Sequence, residues 1–178
     1  KLKVIYTREE DVFIPLWKRT KIANESNGKV FLSIHLNASP NQSAYGFETY
    51  LLRPGKTEDA IEVASRENEV IKFEDRTDNR YKDLTGESLI MATMAQSIFM
   101  KESEELAAMI QEEMAKKIKS KNRGVKQAGF HVLIGASMPN ILIEAGYLTN
   151  RNEEKNLRNA KYRQAIANCI YKAIVKFR

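Results

Sequence analysis

The sequence contains little cysteine, proline or glycine: one cysteine, four prolines and eight glycines in 178 residues. A lone Cys169 cannot form an intrachain disulfide, and no Cys/His cluster has the ligand spacing of a structural zinc site. Few glycines and prolines, with 43% hydrophobic residues, exclude collagen-like, low-complexity and wholly disordered chains. No apolar run reaches the roughly 18 residues that a membrane-spanning helix needs. We therefore expect a single domain over residues 1–178 with no membrane span.

Acidic residues are outnumbered by basic ones, 23 to 29, which gives a net charge of +6. This balance favours anionic partners, and both nucleic acid and an anionic cell-wall polymer fit it. The densest basic cluster, residues 116–123, falls where a helix should end, so it is either a solvated helix end that complements the helix dipole or a polymer-binding patch. No helix-turn-helix spacing and no set of stacking aromatics is present, so we expect no nucleic-acid partner.

Short β-type runs alternate with stretches of helical period. The predicted strands are residues 2–6, 30–35, 47–52, 130–134 and 141–144. Leu106, Ile110, Met114 and Ile118 recur at every fourth position, and Ile166, Ile170, Ile174 and Phe177 follow a similar spacing, which predicts two long amphipathic helices. This alternation indicates an α/β fold, which we expect to have a mostly parallel, twisted central sheet with helices on both faces.

Residues from about 57 to 100 have the pattern of a helical insertion between strands. A helical stretch over 59–73 is followed by a polar break over 74–86, typical of a surface loop or a lid, and a second helical run begins near Glu87. The second run is rich in methionine and isoleucine between Leu89 and Met100. It suits either core packing or a surface that docks a partner.

Three residues are candidates for chemistry. His35 ends a buried strand, where open α/β sheets place their ligand sites, so it is either a ligand or catalyst or a capped structural residue. Glu144 ends a second apolar strand, and a carboxylate there is costly to bury unless it is paired, bound to metal or used in proton transfer; the alternative is an exposed strand tip. His131 lies within an apolar run, and we interpret it as structural.

Two long motifs resemble one enzyme family. Residues 33–38 (SIHLNA) followed by 46–50 (GFETY), and far downstream residues 138–150 (MPNILIEAGYLTN), resemble the metal-ligand and catalytic-glutamate motifs of the zinc-dependent N-acetylmuramoyl-L-alanine amidases of the type 3 family. Residues 6–8, 19–24 and 127–130 extend the resemblance over essentially the whole chain.

The resemblance implies that His35 is a zinc ligand and Glu144 the catalytic carboxylate. The reaction would be hydrolysis of the amide bond between N-acetylmuramic acid and L-alanine of peptidoglycan, in cell-wall remodelling or daughter-cell separation. It further implies a periplasmic or extracellular location in the cell envelope.

Family members carry two further ligands, a His in a Gly-His-Gly loop and a Glu on the following helix, upstream of the segment that matches residue 1 onward. We expect these ligands to lie in a longer protein of which this chain is the N-terminally incomplete catalytic domain. The alternative is a catalytically inactive form that binds peptidoglycan or a partner.

Residues 64–71 (ASRENEVI) resemble the regulatory helix of division-associated amidases from bacteria with an outer membrane, which blocks the active site until a protein activator moves it. The resemblance implies autoinhibition, with Glu67 as the possible inhibitory zinc ligand and Glu69 or Glu74 as alternatives. On a helix, Glu67 shares a face with Ala64 and Ile71.

Overall fold

The computed structural model describes residues 2–74 and 86–177, which form six α-helices and four strands. The helices are α1 (Leu16–Glu25), α2 (Glu58–Asn68), α3 (Gly86–Ala95), α4 (Met100–Lys117), α5 (Arg151–Arg158) and α6 (Ala160–Phe177), and the strands are β1 (Phe31–Asn37), β2 (Phe47–Leu52), β3 (Asn122–Ala128) and β4 (Asn140–Tyr147). Three 3₁₀ turns cover Glu69–Phe73, Ser97–Phe99 and His131–Leu133. None of these helices is long and apolar enough to cross a membrane.

The described residues divide into two compact units. The first draws on Lys1–Phe31, Leu52–Met100 and Gln127–Asn140, and the second on Leu32–Leu51, Lys101–Lys126 and Ile141–Arg178. The first unit therefore holds α1, α2 and α3, and the second holds most of the sheet together with α4, α5 and α6. That residues 1–178 act as one domain stays a prediction.

The first unit is held together by side chains that bind the backbone around its His131–Leu133 turn. Gln96 Nε2 donates to the carbonyls of Leu133 and Ala136 at 3.0 and 2.8 Å. Asn68 at the end of α2 accepts from the His131 N–H at 2.9 Å and donates to the Gly129 carbonyl at 2.8 Å. These bonds satisfy backbone groups of a non-repetitive segment, which would otherwise be costly to bury.

The sheet has the strand order β1-β4-β2-β3. Its central pair, β2 and β4, is antiparallel, with Glu48 opposite Glu144 and Tyr50 opposite Leu142. In the two outer pairs, β1–β4 and β2–β3, hydrogen bonds join strand start to strand start and strand end to strand end, as in parallel pairing. Leu148 N, for example, donates to Asn37 O at 2.8 Å. The predicted α/β class is confirmed, and the sheet is mixed because its middle pairing is antiparallel.

Helix α4 provides much of the core of the second unit. Leu106, Ile110 and Met114 are fully buried and Ile118 is 4% exposed, as the four-residue spacing predicts. In α6 the corresponding stripe is buried at Ile166 and Ile170.

Two predicted strands are wrong. Residues 2–6 form no regular element. Val4 and Tyr6 are 63% and 65% exposed, so these two side chains do not pack this segment against a sheet edge. Residues 130–134 contain the 3₁₀ turn, in which Leu133 N donates to Phe130 O at 3.1 Å. Such i to i+3 bonds replace strand alternation, which is why both Val132 and Leu133 are buried.

The predicted insertion consists, where it is described, of α2, a 3₁₀ turn and α3, and most of the polar break lies outside the described residues. Helix α2 begins at the Thr57 cap, whose side chain accepts from Ala60 N. In the apolar run that follows, Ile90, Met91, Met94 and Ile98 are 46–76% exposed. The alternative that these four side chains pack in the core is therefore wrong.

Candidate functional site

His35 and Glu144 lie close together on neighbouring strands of the second unit. A ring nitrogen of His35 on β1 and a carboxylate oxygen of Glu144 on β4 are within 4.8 Å of each other. His35 is half-buried and Glu144 is completely buried. The two predicted site residues, 109 positions apart in the chain, therefore form one cluster.

The local structure explains why both side chains reach the same place. Alternation along β1 puts Phe31, Ser33, His35 and Asn37 on one face. The segments after β1 and β4 are joined by hydrogen bonds, from Leu148 N to Asn37 O at 2.8 Å and from Ser39 N to Thr149 Oγ1 at 3.0 Å. These bonds hold the carboxyl ends of the two strands at one edge of the sheet.

A second buried carboxylate faces Glu144. Glu48 on β2 is its cross-strand partner in the antiparallel ladder and is fully buried. Directly opposite residues point to the same face with Cβ atoms about 5 Å apart. Two carboxylates in this position would repel each other if neither were neutralised.

Glu48 is neutralised by a set of donors. Its Oε1 accepts from Asn37 Nδ2 and from the Tyr147 hydroxyl, both at 2.8 Å. Its Oε2 accepts from Arg123 Nε at 3.1 Å and Lys126 Nζ at 2.5 Å. Arg123 also lies over the Tyr147 ring, 5.4 Å from its centroid.

The pKa values of this cluster follow from burial and charge. Burial acts to raise the pKa of Glu48, but Lys126, Tyr147 and Arg123 together outweigh it and hold this pKa below its usual value. Burial and the neighbouring Glu48 raise the pKa of the Tyr147 phenol. Glu48 is therefore a permanent anion and Tyr147 a permanent hydroxyl donor at neutral pH.

Glu153 on α5 fixes the backbone beside the site. Its carboxylate accepts from Gly46 N at 3.1 Å and from Tyr147 N at 2.8 Å. Gly46 has φ +119°, and a Cβ there would stand 2.3 Å from the Lys121 carbonyl oxygen. The start of β2 and the end of β4 are thereby held by one buried side chain.

Glu67, Glu69 and Glu74 lie in the first unit. Glu67 is half-buried on α2. Glu69 pairs with Lys72 at 3.1 Å on the surface, and Glu74 accepts from Leu16 N at 2.7 Å at the start of α1. Glu74 therefore caps the start of α1, and which of the three glutamates acts as an inhibitory ligand stays a prediction.

The ligand atoms that His35 and Glu144 offer suit a divalent metal. An imidazole nitrogen and a carboxylate oxygen are common zinc ligands, and a catalytic zinc usually has about three protein ligands and one open position. A separation of no more than 4.8 Å lets one ion or its bound water contact both groups. The residues present therefore fit part of a catalytic metal site.

The chain belongs to the N-acetylmuramoyl-L-alanine amidase family, which it matches over residues 1–176. It is 32% identical to N-acetylmuramoyl-L-alanine amidase AmiC of Escherichia coli strain CFT073, over 97% of this chain and 41% of that protein. It is 30% identical to AmiA of Escherichia coli K12, over 96% of this chain and 59% of that protein. The chain thus spans about half the length of these relatives.

A solved structure shares the fold. The crystal structure of N-acetylmuramoyl-L-alanine amidase from Clostridium difficile 630 superposes with a TM-score of 0.68 at 28% sequence identity, covering 98% of this chain and 71% of that one. The family resemblance seen in the motifs is confirmed.

The sequence analysis assigned no role to Glu48 and Lys126, and it placed Arg123 in the basic cluster of residues 116–123, whereas the structure has Arg123 on β3, paired with Glu48. Glu48 lies in the motif at residues 46–50, and its sequence signal is a charged residue within an apolar run. In the structure this run is β2, and all six of its residues are buried. The pairing of Arg123 and Lys126 with Glu48 had no such signal, because β3 has few residues with strand propensity.

Proposed function

We propose that this protein hydrolyses the amide bond between N-acetylmuramic acid and L-alanine of peptidoglycan, with zinc as its metal, during cell-wall remodelling or daughter-cell separation. The observation that carries the proposal is the approach of His35 and Glu144 to within 4.8 Å in a chain that belongs to the amidase family. Their chemistry, an imidazole ligand beside a buried carboxylate, is that of metal-assisted hydrolysis.

Each residue has a distinct task in this reaction. His35 would hold the metal through a ring nitrogen. Zinc, when bound, lowers the pKa of a coordinated water to about 7 and polarises the amide carbonyl. A Glu144 carboxylate oxygen accepts the proton of the attacking water and then donates it to the departing amine of L-alanine.

The location and partners follow from this substrate. Peptidoglycan lies outside the cytoplasmic membrane, so we propose a periplasmic or extracellular site of action in the cell envelope. The net charge of +6 favours adsorption to an anionic polymer.

We also propose that the inserted segment restrains activity through Glu67 and that a protein activator relieves this restraint. A carboxylate oxygen is a ligand that zinc accepts. The end of α2 next to Glu67 is anchored by Asn68, which binds the backbone of Gly129 and His131. Because of this anchoring, Glu67 sits at the fixed end of its helix, and an activator would have to break these bonds to move it.

The test is release of peptide from purified muramoyl-peptide by the full-length protein loaded with zinc, with and without a chelator. We expect release of a peptide with a free L-alanine amine, loss of release on chelation and recovery when zinc is restored. Binding of peptidoglycan without any release would instead favour the catalytically inactive alternative.

A further inference from the structure

The carboxylate of Glu48 joins all four strands of the sheet. Glu48 lies on β2, and its donors are Asn37 on β1, Arg123 and Lys126 on β3, and Tyr147 on β4. The carboxylate is fully buried, and the two cationic side chains are each 20% exposed.

Two of these donors, Asn37 and Tyr147, lie at the strand ends that carry His35 and Glu144. Asn37 is two positions after His35, so both side chains lie on the same face of β1. Tyr147 is three positions after Glu144 and would point away from it by strict alternation. Gly146, with φ +155°, lies between them, and the Tyr147 hydroxyl nevertheless reaches the carboxylate opposite Glu144.

The buried charge of Glu48 is compensated by these partners. Glu48 carries one negative charge and is paired with two cations, Arg123 and Lys126, so its carboxylate can stay buried where the strands meet.

We infer that Glu48 is a positioning residue for the amide hydrolysis: its carboxylate holds the ends of β1 and β4 so that His35 and Glu144 stay together on one face. This inference rests on the function proposed above. Glu48 need not touch the substrate, and its contribution passes through Asn37 and Tyr147.

A matched control exists in the same unit. Glu113 on α4 is 6% exposed and is also held by two cations, Lys116 at 2.9 Å and Lys176. Its partners are helix residues and not the strands of the site. Glu113→Gln therefore removes a buried, doubly paired carboxylate without disturbing the ends of β1 and β4.

The experiment compares Glu48→Gln, Tyr147→Phe and Glu113→Gln in the full-length protein loaded with zinc. For Glu48→Gln we expect kcat per folded molecule to fall at least 30-fold, with KM and zinc affinity within about threefold of the parent. Tyr147→Phe should lower kcat about fivefold or more, and adding it to Glu48→Gln should cost little further. Glu113→Gln should leave kcat within twofold.

Hydrogen exchange of the Leu148 amide provides a readout that does not need catalysis. This amide donates to the Asn37 carbonyl across the ends of β1 and β4. Exchange at Leu148 should be at least tenfold faster in Glu48→Gln than in Glu113→Gln.

The inference is overturned if Glu48→Gln lowers activity only in proportion to its unfolded fraction, or if Leu148 exchange matches that of the control. Should Glu48→Gln fail to fold, Tyr147→Phe decides: an unchanged kcat and an unchanged Leu148 exchange rate overturn the inference. A parent protein that releases no peptide refutes the proposed function, while the exchange measurement still decides whether Glu48 holds the two strand ends.

Discussion

Replacing Glu144 with glutamine tests the proposed proton acceptor with almost no change of shape. The amide keeps the size of the carboxylate but cannot accept a proton from water at neutral pH. A positioned general base contributes about 10²- to 10⁴-fold to a rate. We therefore expect kcat of Glu144→Gln to fall by that factor, about 3–5 kcal/mol in the barrier.

The same substitution should hardly affect folding of the metal-free protein. Glu144 faces Glu48 across the β2–β4 pair, and like charges directly opposite each other in a ladder repel. Neutral glutamine removes this repulsion, but it also removes attraction to Arg123 and Lys126, which bind Glu48. Because the two changes oppose each other, we expect the free energy of unfolding to change by less than about 1 kcal/mol.

The assay measures initial rates of peptide release by chromatography, with zinc content determined by elemental analysis on the same samples and unfolding followed in urea. Glu112→Gln, at an exposed position of α4, is the matched control and should keep the parent rate. A Glu144→Gln rate above one-tenth of the parent, at full zinc occupancy, would remove Glu144 from the mechanism.

Three further predictions follow from other parts of the chain. Glu67→Ala should raise basal peptide release at least threefold in the absence of an activator, measured as initial rate; a lower or unchanged rate in the folded variant contradicts a restraining role. Gly46→Ala should lower the free energy of unfolding by about 2–3 kcal/mol in urea titrations, since it adds left-handed backbone strain and displaces the Lys121 carbonyl that binds Phe47 N. A Gly46→Ala loss below 0.5 kcal/mol would show that the turn adapts freely. Two lysines lower the pKa of Glu113 to about 2, so its contribution to stability is present above its unfolded pKa of about 4.5 and is lost as the pH falls towards 2. Glu113→Gln should therefore reduce the stability difference between pH 6 and pH 3 in urea titrations, and an unchanged difference would show that the ion pairs do not contribute.

Patterns that depend on local periodicity were predictable. The four-residue spacing of Leu106, Ile110 and Met114 predicts a buried helix face, and α4 buries all three completely. His35 and Glu144 were found because a polar residue at the end of an apolar strand is unusual, and strand ends meet at a sheet edge. Their proximity depends on β1 and β4 being neighbours in the sheet. The sequence indicated this only through the resemblance of its motifs to the amidase family.

Features that depend on distant partners were not predictable from the pattern. Strand β3 has the sequence NRGVKQA, which has little β propensity. It forms a strand because its backbone hydrogen-bonds to the backbone of β2. Residues 130–134 look like a strand, yet they turn, because the side chains of Asn68 and Gln96 satisfy backbone groups in and around them.

The sequence by itself determined the α/β class, the amphipathic helices and the two residues that we assign to the reaction, because each is encoded in spacing along a few residues or in a motif. Only the tertiary structure decided that Glu48 faces Glu144 and binds Asn37, Arg123, Lys126 and Tyr147. These partners lie 11 to 99 positions from Glu48 in the chain. A charge buried in a strand requires compensation, but nothing local to the strand states which distant side chains provide it.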